Sequence, residues 1–164
     1  MNHDAIVEAP GSERIEAVYR EEAPRLWRAL IAFSGNPDIA ADAVAEAFAQ
    51  ALRRGDALDD PTRWVWRAGY RIAAGELLAR SRRSEQLRTS PGGSTLDLTE
   101  RSIELIDALA RLPDKQRAVM VLHYLVDLPT AEIARRLGVS AVTVRVHLNQ
   151  GRRRMRTLLE ENDD

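Results

Sequence analysis

Residues 130–156, TAEIARRLGVSAVTVRVHLNQGRRRMR, constrain the fold more tightly than any other stretch of the chain. They read as two helices crossing at a sharp angle. Ala134 is the small residue needed at the crossing, Gly138 the permissive turn, and Val144 the branched residue of the shared core. Thr130 and Ser140 stand where the two N-caps belong, and Glu132 in the first turn favours the helix dipole. A 3.6-residue period then draws an apolar line through Val144, Leu148, Gly151, Met155 and Leu158, with Arg145, Asn149, Arg152 and Arg156 on a neighbouring line. From residue 133 to 159 there are arginines at 135, 136, 145, 152, 153, 154 and 156 and no acidic side chain. A helix with a buried stripe beside a basic, amide-bearing stripe suits a DNA major groove, arginine on phosphate or guanine and Asn or Gln on adenine. The competing explanation is a solvated basic face on a helix that merely packs. Caps, turn and charge agree over one short window, which favours DNA.

The net charge of −1 conceals this patch. Residues 1–83 carry 12 basic and 13 acidic side chains, and residues 84–164 carry 12 and 12, so a nucleic-acid surface must be local. The chain has 164 residues, 45% hydrophobic and 30% charged, which fits either one soluble domain or two small ones. Without cysteine there is no disulfide framework, thiolate metal site or thiol nucleophile. Neither a signal-peptide pattern nor an apolar run of ~20 residues is present, so a cytoplasmic protein without membrane insertion is expected.

Every other segment with periodicity is helical. Residues 13–33 space Ile15, Val18, Tyr19, Leu26, Leu30 and Phe33 on one face, with Pro24 expected to kink the helix or restart it. After the turn at 34–37, residues 38–54 repeat Ile39, Ala43, Ala47, Phe48 and Leu52, and Gly55 is placed to end the helix. Asp60-Pro61 opens a helix over 62–83. Residues 84–99, centred on SPGGS, read as a flexible linker with an r.m.s. reach of roughly 20–25 Å and a limit of ~55 Å. Helices are expected over 100–112 and over 114–124, the latter capped by Asp114 after Pro113. No segment alternates at period two. The expected fold is all-α: two small helical domains, 13–83 and 100–160, joined by the linker at 84–99.

In this order the elements resemble the extracytoplasmic-function group (group IV of the sigma-70 family) of bacterial RNA polymerase sigma factors, which join a sigma-2 and a sigma-4 domain through a linker. Residues 109–156, from LARLPDKQR through the basic helix, resemble the sigma-4 pattern; ADAVAEAF (41–48) and RWVWRAGYRIA (63–73) resemble the sigma-2 helices. The resemblance implies a factor that binds core RNA polymerase and directs promoter-specific initiation. It places Thr143, Arg145, Val146, His147, Asn149, Gln150, Arg152 and Arg153 on the minus-35 element. It also implies that Trp64, Trp66, Arg67, Tyr70, Arg71, Arg80, Arg82 and Arg83 serve minus-10 recognition and melting, aromatic faces stacking on unpaired bases while arginines follow the backbone. Asp42, Glu46 and Phe48 match the polymerase-binding helix. An anti-sigma factor is a further expected partner. The family often has arginine at the positions of His147 and Gln150, glutamine at Ala45, and asparagine and aspartate at Arg71 and Gly75. Because Trp64 and Trp66 are two apart on a helix, only one of them can be fully core.

Little in the chain suits catalysis. His3, His123 and His147 are scattered, and no metal-ligand spacing, phosphate-binding glycine loop or nucleophile elbow is visible, so no enzyme activity, cofactor or metal is expected. The rival readings are a dimeric helix-turn-helix regulator that does not recruit polymerase and, further off, the DNA-binding part of a recombinase or transposase.

Overall fold

In a computed structural model, residues 11–87 and 100–162 are described, and they form seven α-helices and no strand. The first, α1 (Ser12–Ser34), runs through Pro24 without restarting. Ile15 precedes the proline, and Leu26, Leu30 and Phe33 follow it, all buried on one face. That burial, at about 1.5–3 kcal/mol per side chain, outweighs the ~3 kcal/mol cost of an interior proline. Gly35, in the left-handed region at φ 66°, closes the helix by donating its N–H to Ile31 O at 2.7 Å.

Helix α2 (Pro37–Arg54) starts one residue before the expected position, with Asn36 Oδ1 accepting from the N–H groups of Asp38 (2.9 Å) and Ile39 (3.2 Å). Its inner face is largely alanine, at 40, 43, 47 and 51, which brings the backbone close to its neighbours. Gly55 ends it as expected, donating its N–H to Ala51 O. A single 3-10 turn, Gly55–Ala57, leads to Asp60, whose Oδ1 accepts from Arg63 N–H at 3.0 Å and caps α3 (Pro61–Leu87). This helix continues four residues past the expected end, so 84–87 are helical rather than linker. Gly69 has a packing reason: a Cβ there would lie 3.2 Å from a Leu26 methyl, so the glycine lets α3 seat on α1.

The remaining helices are α4 (Glu100–Ala110), α5 (Asp114–Tyr124), α6 (Thr130–Leu137) and α7 (Ala141–Asn162). Two caps differ from expectation. Pro113 and Pro129 occupy the N-cap positions of α5 and α6, and Asp114 and Thr130 are the first helical residues, with no side-chain cap on either. Proline fixes the extended entry angle, and the acidic residues Asp114 and Glu132 serve the helix dipoles from the first turn.

The two halves share one buried apolar cluster, which includes Leu30, Phe33, Trp66 and Tyr70 from the first and Leu109, Leu112, Val119 and Leu122 from the second. Polar contacts reinforce the junction. Glu22, 4% exposed, accepts on Oε2 from Trp66 Nε1 (2.8 Å) and from the Arg136 guanidinium (2.9 Å), which also lies 4.7 Å from the Trp66 ring centre. Arg117 is buried too and donates to Phe33 O (3.1 Å), Ala110 O (3.0 Å) and Leu112 O (3.0 Å). One guanidinium thus satisfies carbonyls at the C-terminal ends of α1 and α4 that have no partner within their own helices. Desolvation lowers its affinity for the proton, and Asp114 at 3.6 Å opposes that shift.

Candidate nucleic-acid interface

Helix α7 is built as its sequence requires. Ser140 Oγ accepts from Thr143 N–H at 3.1 Å, Gly138 takes the left-handed turn at φ 68°, and its N–H donates to Ala134 O. Val144, Leu148, Gly151 and Met155 are buried, with Leu158 packed at the edge. Gly151 sets the distance to α5, since a Cβ there would lie 2.8 Å from Met120 Cγ. Arg145, Val146, Asn149, Gln150, Arg152 and Arg153 are exposed, and Thr143 is half-buried.

Two of these side chains are pre-positioned. Arg152 donates from Nε to Tyr124 Oη at 2.6 Å, and its guanidinium lies 5.7 Å from the Tyr124 ring centre. Gln150 Oε1 accepts from Gln116 Nε2 at 3.0 Å, which leaves the Gln150 amide donors for a base edge. His147 differs from its neighbours: half-buried, it lines a cavity of about 400 Å³ between the halves together with Arg67, Arg71 and Asp114. It is turned away from the outer ridge of α7.

The α3 residues divide. Trp66 is fully buried and Tyr70 is 6% exposed, so neither ring is open to a base in this arrangement. Burial pushes the Tyr70 hydroxyl pKa strongly upward. Trp64 is the partly exposed tryptophan and carries the Arg54 guanidinium 5.1 Å from its ring centre. Arg67 and Arg71 are exposed, and the Arg67 guanidinium sits close to the backbone of Gly138 across the junction. Glu76 pairs with Arg80 (3.2 Å) and reaches Arg83 (3.8 Å), while Arg82 is exposed.

On α2, Asp42 and Glu46 are exposed, and Glu46 accepts from Gln50 (2.8 Å) and Arg53 (3.2 Å). The Gln50 hydrogen bond is the largest influence on its carboxyl, which is held below the usual range. Phe48 departs from expectation: it is 4% exposed and packs edge-on against Tyr19, so it supports the helix from beneath and offers no docking surface.

Residues 102–155 match the model of sigma-70 region 4. The chain is also 30% identical over 159 residues to the ECF RNA polymerase sigma factor SigL of Mycobacterium tuberculosis, spanning 90% of this chain and 89% of that one. The chain belongs to the ECF RNA polymerase sigma factors. A shorter match, 38% identity over 89 residues, covers 51% of this sigma factor and 50% of the RNA polymerase sigma-E factor of Streptomyces avermitilis. Its fold is that of the sigma factor RpoE in complex with the anti-sigma factor NepR from Bartonella quintana (TM-score 0.66, 19% identity, 90% of this chain and 98% of that one). It is also that of CnrH in complex with the cytosolic domain of CnrY (TM-score 0.68, 22% identity, 92% and 91%). No helix among the described residues of this sigma factor is long and apolar enough to cross a membrane.

Tyr124 and Gln116 hold Arg152 and Gln150 in place although neither stands out in the sequence. Both come from α5, and only the packing of α5 on α7 brings them to Arg152 and Gln150.

Proposed function

We propose that this sigma factor joins core RNA polymerase and directs promoter-specific initiation, with residues 140–156 on the minus-35 element and the 62–83 helix on the minus-10 element. The observation that carries the reading is the capped helix α7, whose exposed face is arginine- and amide-rich while the opposite face is buried. Arg145, Arg152 and Arg153 meet phosphate or guanine, and Asn149 and Gln150 meet base edges. Residues 100–160 form the upstream-binding unit. Residues 13–83 form the unit that meets polymerase through Asp42 and Glu46 and the downstream element through Trp64, Arg67, Arg71 and Arg82. Trp66 and Tyr70 join that surface only when the halves part.

Two further elements of the reading follow from family membership. An anti-sigma protein is a partner, as the RpoE–NepR complex supports. The site of action is the cytoplasm, and the role is binding rather than catalysis.

Run-off transcription with core polymerase on promoters selected from a genomic library tests the central claim. Initiation above core alone on at least one promoter is expected, and none on any selected promoter would sink it. Within that assay Arg152→Ala flattens the dependence of affinity on salt, because one phosphate contact and its released counterion are lost. Gln150→Ala alters base preference and leaves the salt slope in place.

A further inference from the structure

The outward ridge of α7 is not its most basic line. At 100° per residue, the residues of 141–156 that fall within roughly 50° of the direction opposite the buried Val144, Leu148, Gly151 and Met155 are Val142, Val146, Asn149, Gln150 and Arg153. Arg145, Arg152 and Arg156 flank this ridge on one side. Val142 is 62% exposed, the largest of the exposed apolar side chains in the described chain, and Val146 is 46% exposed. Neither packs on another element, and β-branched residues are not favoured by helix propensity on a surface.

Resting on the minus-35 reading above, we propose that Val142 and Val146 read the 5-methyl groups of thymines on the floor of the major groove. The geometry assigns the roles by position. A helix entering the groove presents to the base edges the line opposite its own core, starting from its N-terminal turns, while its flanks face the phosphate walls. Arg145, Arg152 and Arg156 therefore stand where phosphates are, and two valines one turn apart stand where bases are. Of the groups in the major groove, only the thymine methyl is apolar. Asn149 continues the same ridge one turn on, where its amide suits adenine, so the element is rich in A·T pairs with thymine at the positions facing Val142 and Val146. No acidic side chain occurs between residues 133 and 159, which makes this ridge a poor match for a basic protein surface and a good one for DNA.

The test uses the full chain with core polymerase on a promoter that initiates in the run-off assay. Each thymine of the upstream element is replaced in turn by deoxyuridine, which removes the methyl and keeps every hydrogen-bonding group. One methyl buried against a valine corresponds to about a fourfold change in affinity. Loss of that size is expected at one or two thymines for the natural chain. Val142→Ser or Val146→Ser abolishes the thymine-over-uracil preference at its own position and leaves the salt slope unchanged. If binding is salt-dependent through Arg152 but indifferent to every uracil substitution, the thymine assignment falls and the sigma reading stands. If no duplex is bound at all, both fall. A preference for thymine that persists unchanged in both valine variants also overturns the assignment.

Discussion

Replacing Arg136 by methionine removes the cation from the most buried ion pair among the described residues while keeping most of its volume. Glu22 and Arg136 have side chains 5% and 10% exposed, and they join α1 to α6 across the junction of the halves. Deleting one member of a buried pair typically costs 3–5 kcal/mol, because the remaining charge is left without compensation. Here Glu22 keeps the Trp66 Nε1–H bond at 2.8 Å and the Arg25 guanidinium at 3.8 Å, 39% exposed, so the lower end applies, about 3 kcal/mol. With a urea slope of about 2 kcal/mol/M, the unfolding midpoint drops by about 1.5 M. Glu22→Gln in the same background recovers part of the loss, since no bare carboxylate then remains. The double variant is therefore less destabilised than the sum of the single changes by at least ~1 kcal/mol. A midpoint shift below about 0.3 M, or strict additivity, would refute the assignment of Glu22 as a charge buried on Arg136.

Three other outcomes are expected. Gly75→Ala stabilises the chain by about 0.5–1 kcal/mol in the same denaturation assay, since an added Cβ meets nothing within 4 Å and the helix gains propensity. Gly138→Ala destabilises it by about 1 kcal/mol or more, because the residue sits at φ 68° and its Cβ would press on the Arg67 guanidinium at 2.9 Å. Asp60 has opposing influences: burial raises its carboxyl pKa, but the Arg63 N–H and Arg135 together outweigh that and hold it below the ordinary value. A lowered folded-state pKa means the contribution is present above the usual carboxylate range and is lost as pH falls through the folded value. Asp60→Asn keeps a competent helix cap and removes only the half-exposed ion pair to Arg135, so it costs under ~1 kcal/mol at neutral pH and little in acid, whereas Asp60→Ala costs about 1 kcal/mol more by losing the cap.

Local rules made much of this fold legible. The Ser140 cap, the Gly138 turn, the Asp60-Pro61 start and the Gly55 stop are all set within a few residues of sequence, and each stands where its chemistry puts it. So does the inner face of α7, because a 3.6-residue repeat needs no knowledge of what it packs on. Thr130 and Asp114 fall one residue inside their helices because the preceding prolines already provide the extended entry. What escaped was tertiary. Glu22 and Arg136 are 114 positions apart, and nothing local distinguishes either from a surface charge. Nothing around Arg117 in LARLPDKQR marks it for the interior, yet it serves carbonyls on two other segments. Phe48 shares its helix with exposed carboxylates but stands on the apolar repeat with Ile39, Ala43 and Ala47, and that repeat, not the resemblance, gives its inward direction. For the tryptophan pair, helix geometry allows at most one to be fully core; the junction with α6 makes it Trp66.

The burial of Trp66 and Tyr70 sets a thermodynamic toll on any ligand that needs them. Such a ligand binds only molecules whose halves have parted, so its apparent dissociation constant is the intrinsic one divided by the open fraction. A junction that is open one time in a hundred weakens binding about a hundredfold, and one that is open half the time weakens it about twofold. The affinity of such a ligand can thus be tuned from Glu22, Arg117 or Arg136, which hold the junction rather than the two rings. A protein that grips the closed form competes with any such ligand without sharing a single contact with it.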